Sequence, residues 1–539
     1  MKSLITFCTV HLAAAMAGLM LITDVASADI LYVNISATGS NDGSSWTNAY
    51  QELQAAINIA SPIDEIWVAA GIYLPTETHG DTSARNKTFY INKGMRIYGG
   101  FEGLPGSENN FLSRDVVAHP TILSGDIGQA GELVDNVFHV MWLDHVGFGL
   151  LLDGFTIKLG YGVDGTSGTS GAGIYNDGSV SGTSSPTISH CIFDHNTSFE
   201  TGGAFMNIGS GGEAHPNFMY CVFTNNSGSG GGALTNIANP AGAASPLIFN
   251  CKFQGNSGPT AGGGAIQNIA LSAGSASPQL YNCLFSGNYS PTSGAYHSFA
   301  NDHGIINPLL VNCTFAGNFG GAFSTSAFGE SMATPTIKNS IFWGNSGGGG
   351  IFENGATTTV TYSLIPFGLF PGEGNIGEDP LFVNLTDVNT APTTLGDMHP
   401  IAGSPAINAG NNEALHVKNI TKDLDGKARI QAENGGEGIV DMGAYEFHGE
   451  IVRTKEISIL DKWTISPNPS SGDVTITYES HAAGWLRIFT EQGKIVLQKC
   501  FLDEGSTNDP VKINGLASGI YFVQIILDGQ GSIRKLVIE

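Results

Sequence analysis

The chain runs to 539 residues, enough for several hundred residues of continuous core, with 74 glycines and only 13% charged residues. Lysine and arginine number 22 against 47 acidic residues, a formal charge of −25, which repels phosphate backbones and disfavours nucleic-acid binding. Such a surface tolerates cations such as Ca²⁺, although most acidic surfaces are simply solvated.

Lys2, an apolar stretch from Leu4 to Ile22 broken by Thr6, Thr9 and His11, and the small residues Ala26-Ser27-Ala28 predict a signal peptide over 1–28, cleaved after Ala28. A membrane anchor is the weaker alternative, because the run is interrupted and the small-residue site sits where a peptidase needs it. No later stretch approaches the ~20 apolar residues of a membrane span, so the mature protein is expected to be soluble or surface-attached. Tyr50, Leu53, Ala56, Ile57 and Ala60 follow helical spacing and predict a short amphipathic helix over 47–60, suited to cover an open first coil. Phe89 to Phe101, Thr121 to Asp126, Val137 to Leu143 and Leu150 to Ile157 read as irregular early coils.

A repeat follows. Pro186, Ile188, Cys191, Phe193 and Asn196 set a pattern that returns at Cys221, Cys251, Cys283 and Cys313, with Ser340 in the sixth place. In each copy proline precedes the Cys/Ser position by five residues, phenylalanine follows by two and asparagine by five. Glycine blocks such as Gly202-Gly203-Ala204-Phe205 and Gly231-Gly232-Ala233-Leu234 lie between. The apolar residues come as i, i+2 pairs, which is strand spacing and not helical spacing. Short strands broken by Gly, Asn and Pro suit a solenoid coil with three sides, whereas a propeller blade needs a longer unit. The step from Ile188 to Cys191 would reverse faces on a straight strand, so a corner is expected between them. Its residue is His190, Tyr220, Asn250, Asn282, Asn312 or Asn339, and asparagine best tolerates the left-handed conformation. Coils stacked at about 4.8 Å then place like over like. The five cysteines are expected as an inward column of thiols pointing the same way, not as disulfides. A CxxC zinc site is absent from the sequence. Residues 400–447 are expected to close the far end, 451–460 to form a linker, and the alternating strands of 461–539 a small antiparallel sandwich.

Two resemblances sharpen this reading. Leu31-Tyr32-Val33, Asn41-Asp42-Gly43, Asp64 through Tyr73 and Ile97-Tyr98-Gly99-Gly100-Phe101, with Gly403-Ser404-Pro405-Ala406-Ile407-Asn408-Ala409-Gly410, Asp423-Leu424-Asp425-Gly426, Arg429 and Val440 through Phe447, resemble right-handed β-helix surface proteins of Bacteroidetes of the "choice-of-anchor" type. That resemblance covers roughly residues 30–447 and implies an all-β fold, a right-handed parallel β-helix of pectate-lyase-like architecture, and export, but no single activity. Pro467-Asn468-Pro469-Ser470-Ser471-Gly472, Gly493-Lys494-Ile495-Val496 and Leu516 through Val523 resemble a type IX secretion, type A sorting domain, with Ser466 standing where an aromatic residue is usual. It implies passage through the type IX machinery and removal near Ile457–Lys462. A carbohydrate-binding or immunoglobulin-like tail is the alternative.

Chemistry-bearing groups are sparse. Asp194-His195 reads as an exposed turn. Asp423, Asp425 and Asp441 are candidate Ca²⁺ ligands, with salt bridging to Arg429 as the plainer role. One coil breaks the pattern with Tyr296-His297 and Asp302-His303. Because functional sites tend to break local rules, these four are the candidate site for glycan contact or acid–base work, beside the reading of a decorated loop. The expectation is a non-catalytic surface or adhesion protein meeting glycans. The alternative is an extracellular polysaccharide lyase or glycoside hydrolase, so enzyme status stays open and Ca²⁺ is the one cofactor considered.

Overall fold

A computed structural model describes residues 28–164, 167–260, 262–347, 350–366, 370–430, 438–448, 463–478, 484–490, 495–501, 510–527 and 530–539. The signal peptide through Ser27, the linker 451–460 and the cleavage region 457–462 lie outside them. The described residues fall in two compact units, one ending at His448 and one starting at Trp463.

Among the described residues of the first unit, three parallel sheets of eleven, nine and nine strands wind as the walls of a right-handed parallel β-helix. The first wall runs from Ile30–Val33 to Thr359–Thr361, the second from Gly71–Tyr73 to Ile341–Trp343, and the third from Phe89–Ile91 to Ile351–Asn354. Each repeat is one coil. Ile188, Phe218, Ile248 and Leu280 lie in register in the first wall, and Phe193, Phe223, Phe253 and Phe285 in the second. Register this regular forces the phenylalanine rings into parallel stacks, with centroids 4.3–4.9 Å apart from Phe193 to Phe342. Burial of each ring contributes roughly 1.5–3 kcal/mol.

The corner between first and second walls is the predicted left-handed residue: φ is 49° at His190, 56° at Tyr220, 52° at Asn250 and 54° at Asn312. Cys191, Cys221, Cys251, Cys283 and Cys313 follow it as fully buried free thiols. The column continues through Ser340 into Ser363, whose hydroxyls accept the backbone N–H of the preceding member at 3.1 and 3.0 Å. Burial pushes the thiols of Cys191, Cys251 and Cys283 well up. Asn196, Asn226, Asn256, Asn288, Asn318 and Asn345 form a second column, each amide donating to the next Oδ1 at 2.8–3.0 Å. The glycine block has its own reason. A Cβ on Gly232 would sit 2.4 Å from the Gly264 carbonyl oxygen of the next coil, and Gly231 takes a φ of +61°.

Two expectations about the ends change. The helix spans Leu53–Ile59 only and covers the first coil with Leu53, Ala56 and Ile57; 47–52 form turns, with Tyr50 pairing its backbone to Tyr32. The described residues of 400–447 do not lie across the far end. They run back along the flank as a strap over the corner asparagines: Asn282 donates to the Lys422 carbonyl at 2.8 Å, Asn312 to that of Asp441 at 3.1 Å, and Asn339 to that of Asn411 at 3.0 Å. The physical reason is apolar. Tyr281 and Val311, outward-facing and fully buried, pack with Leu415, Ile420 and Val440 of the strap. The end of the core is met instead by Ile365 and Phe370.

The second unit contains antiparallel sheets of three and four strands among its described residues. Their alternating residues bury Val474, Ile476, Leu486, Ile488, Val523 and Ile525. Asn468 of the Pro-Asn-Pro segment clasps the last strand, donating to the Lys535 carbonyl at 2.7 Å and accepting the Val537 N–H at 2.9 Å.

Candidate functional site

The four candidates of the irregular coil are not brought together. Tyr296 points inward, fully buried and stacked on Phe323 at 4.8 Å, so it belongs to the core. His297, its neighbour, takes the outer face of the same strand, paired with Ser324 Oγ at 2.8 Å, and burial lowers it to about 4. Asp302 and His303 sit beyond the other end of that strand as exposed left-handed residues, φ 53° and 63°, with His303 facing Glu330 at 3.5 Å. Asp302 lies five residue steps along the chain from His297, roughly 16 Å. Asp194 and His195 pair with each other at 2.8 Å on an exposed corner.

The calcium candidates are occupied by the chain itself. Asp423 accepts the backbone N–H groups of Asp425, Lys427 and Glu446, and Asp441 those of Asn408 and Phe447. Asp425 faces His399 Nε2 at 2.7 Å and Lys252. Arg429, fully buried, pairs with Glu446 at 3.3 Å and donates to Asn282 Oδ1 at 2.7 Å. Among the described residues, no group of three or more His, Cys, Asp or Glu is arranged to hold a metal ion. A cavity of about 450 Å³ opens beside this strap, with His399 held between Asp397 and Asp425 at 2.5 and 2.7 Å. Both ring nitrogens meet carboxylate oxygens, so the imidazole is a clasp with neither nitrogen left for substrate.

The feature that sequence reasoning missed lies on the outer face of the third wall. Tyr90, Trp142 and Tyr175 occupy one register column in three successive strands, Phe89–Ile91, Met141–Asp144 and Ile174–Asp177. Period-two alternation turns Ile91, Leu143 and Asn176 inward and these three rings out, half-buried. The Trp142 and Tyr175 ring centroids are 4.5 Å apart, and His79 stacks on Tyr90 at 4.3 Å and touches Trp142 at 4.8 Å. Two residues along each strand, Asp144 and Asp177 form a carboxylate edge. Tyr90 donates its hydroxyl to Asp144 at 2.5 Å. Burial, with Asp144 and Asp177 beside them, pushes the Tyr90 and Tyr175 hydroxyls up to about 12, so both remain donors near neutrality. His139 packs beneath, 5.2 Å from Trp142 and 5.3 Å from Tyr175. The arrangement is a strip of tilted aromatic rings with hydrogen-bonding carboxylates along one side.

A second cluster occupies the corner of the first and second walls. Asp153, nearly buried, takes hydrogen bonds from Arg114, Ser189 and His190. Burial alone would raise its carboxyl; these bonds and the Arg114 charge hold it below the usual range. His190, half exposed, stacks on Tyr220 at 5.1 Å.

Comparison with curated proteins gives no match. Solved structures to which the chain is similar include a crystal structure of the pectate lyase Pel9A (TM-score 0.44, 16% identity, over 78% of this chain and 97% of that one) and a rhamnogalacturonan lyase (TM-score 0.32, 11% identity, over 74% and 99%). Residues 464–539 match the family described as a secretion system C-terminal sorting domain. That tail implies handling by the type IX secretion machinery and a secreted or surface-attached product. The chain is thus a parallel β-helix protein that ends in a type IX sorting domain.

Proposed function

We propose that the protein is a non-catalytic glycan-binding protein of the cell surface or its surroundings, delivered by the type IX route. The observation that carries this reading is the strip of Tyr90, Trp142 and Tyr175 with its carboxylate edge. Aromatic faces carry negative quadrupole density that attracts the C–H bonds of a sugar ring, and Asp177 is placed to accept from hydroxyls, Asp144 being held by Tyr90 and His145. The strip sits on a rigid wall, so little ordering cost opposes binding. Retention of the full mature chain on immobilised polysaccharides, lost in Trp142→Ala and kept in His195→Ala, is the expected result; equal retention of wild type and Trp142→Ala would refute it.

The second reading is an extracellular polysaccharide lyase or glycoside hydrolase. His190 favours it, since Asp153 orients its Nδ1 at 3.0 Å and leaves the other nitrogen toward solvent as a potential base. Incubation of the mature chain with acidic and neutral polysaccharides, with and without Ca²⁺, decides the matter: product release abolished by His190→Ala establishes catalysis in place of simple binding.

A further inference from the structure

Resting on the glycan-binding reading, we infer that the ligand is an uncharged, extended polysaccharide lying parallel to the axis of the β-helix, contacting one coil after another. Three observations carry this. First, Tyr90, Trp142 and Tyr175 come from consecutive strands of one sheet, so the strip is elongated along the axis and not across it. Second, the outer face turns apolar beyond the rings. Ile208, Ile237, Ile269 and Phe299, half-buried in the four coils that follow Tyr175, continue the register column of Asp144 and Asp177, two residues along the strands from the ring column. Phe328 adds an exposed ring 5.7 Å from Phe299. Four apolar side chains at outward positions of a parallel wall are not required by the core, which the opposite face of the same strands already fills with Phe205, Leu234, Ile266 and Tyr296. A contiguous, partly exposed apolar strip of this kind fits a contact surface.

Third, charge selects the occupant. Asp144 and Asp177 edge the aromatic part, and the chain carries 47 acidic against 22 basic residues. Two basic groups near this end of the wall are already engaged: His145 pairs with Asp144, and Arg85 is turned onto the Phe138 ring at 4.1 Å and donates to the Asn136 and Tyr161 carbonyls. A polyuronate would meet repulsion here, whereas a neutral pyranose polymer with equatorial hydroxyls offers apolar C–H faces to the rings and aliphatic side chains and hydroxyl donors to the carboxylates. From Tyr90 to Phe299 the strip crosses seven strands, about 29 Å at the usual strand separation, so short oligomers fill only part of it.

The test is titration of the full mature chain with cello-oligosaccharides of two to eight sugars and with oligogalacturonates of matching length. The expected result is affinity rising at least tenfold from the shortest to the longest neutral ligand, with oligogalacturonates bound at least tenfold more weakly. Trp142→Ala weakens every neutral ligand, Trp142→Phe retains most of the affinity, and Phe299→Ala weakens only the longest. Length-independent affinity, preference for oligogalacturonates, or no effect of Phe299→Ala on the longest ligand would overturn the inference while leaving glycan binding intact. Absence of binding to both series and to the polysaccharide panel overturns the underlying reading as well.

Discussion

The side-chain amide of Asn226 donates to Asn256 Oδ1 at 3.0 Å, and the same oxygen accepts the Asn226 backbone N–H at 3.1 Å. Asn256 in turn donates to the Phe223 carbonyl at 2.9 Å, and both asparagines are fully buried. Asn256→Ala therefore strands two donors and an acceptor in the interior, a loss of about 2–4 kcal/mol. Asn256→Asp keeps the acceptor but loses the donor to Phe223 and buries a charge, so it is expected to be no better. Guanidinium denaturation followed by circular dichroism measures both; an unchanged midpoint for either variant contradicts the ladder's role.

The cysteine column makes a contrasting case. Cys221 N–H meets Cys251 Sγ at 3.4 Å, and Ser340 and Ser363 perform the same task with hydroxyls three and four coils later. Cys251→Ser is thus expected to cost less than about 1.5 kcal/mol, whereas Cys251→Leu overpacks a column in register and costs about 1–3 kcal/mol. Burial raises the thiols of Cys191, Cys251 and Cys283 and keeps reagent away from all five, so alkylation of the column at pH 8, read by mass spectrometry, should proceed only after denaturation. Rapid native labelling of Cys251 would show that the column is open.

The repeat was legible because each coil repeats the same physical demands: Pro, the left-handed corner, the inward Cys/Phe pair and the ladder Asn recur at fixed offsets. Even the irregular coil obeys them, since Ala295-Tyr296 occupies the place of Ala265-Ile266 and Ala322-Phe323. Its tyrosine is one more core ring, not a departure. The strap was misplaced because its contacts are made once each and leave no period. The signal available was the shift of outward positions from Ser189 and Met219 to Tyr281 and Val311, which need a cover. The aromatic strip escaped notice because Tyr90, Trp142 and Tyr175 lie at unequal spacings, separated by loops of different length, and only the folded register aligns them.

Acid should weaken the fold and the strip together. His139 is buried beside Trp142 and Tyr175, with Nδ1 at 3.0 Å from the Gly171 carbonyl, and desolvation lowers it from 6.5 to about 4. Between those values the unfolded chain takes up a proton that the folded chain refuses. Its stability contribution is therefore present above pH 6.5 and lost as pH falls toward 4, on the order of 3 kcal/mol. His139→Asn keeps a donor for Gly171 without titrating, so its denaturation midpoint should fall less across that window, and its glycan affinity should hold at pH 5 where that of the wild type declines. Parallel pH profiles for the two proteins would count against His139.

The strap should respond in the opposite direction. Burial, and then the neighbouring Asp441, raise Glu446 to about 8, although Arg429 lies 3.3 Å away; Asp441 is itself raised to about 6 by burial. One buried guanidinium faces several carboxyls, so the cluster retains a proton that the released strap gives up. The folded carboxyl titrates above the unfolded one, so its contribution is present at mildly acid pH and lost as pH rises from about 4.5 through 8. Glu446→Gln imitates the protonated side chain, and its strap should resist limited proteolysis at pH 8.5 as well as at pH 6, whereas wild type is cut faster at the higher pH. Arg429→Met removes the donors to Asn282, Gly443 and Ala444 and leaves Glu446 buried without its partner, a loss of about 3–5 kcal/mol. Cleavage within 400–447 should then appear at both pH values while the coils stay intact, because the phenylalanine and asparagine columns do not pass through the strap. Protection of the strap in Arg429→Met would mean that the apolar contacts of Leu415, Ile420 and Val440 alone hold it.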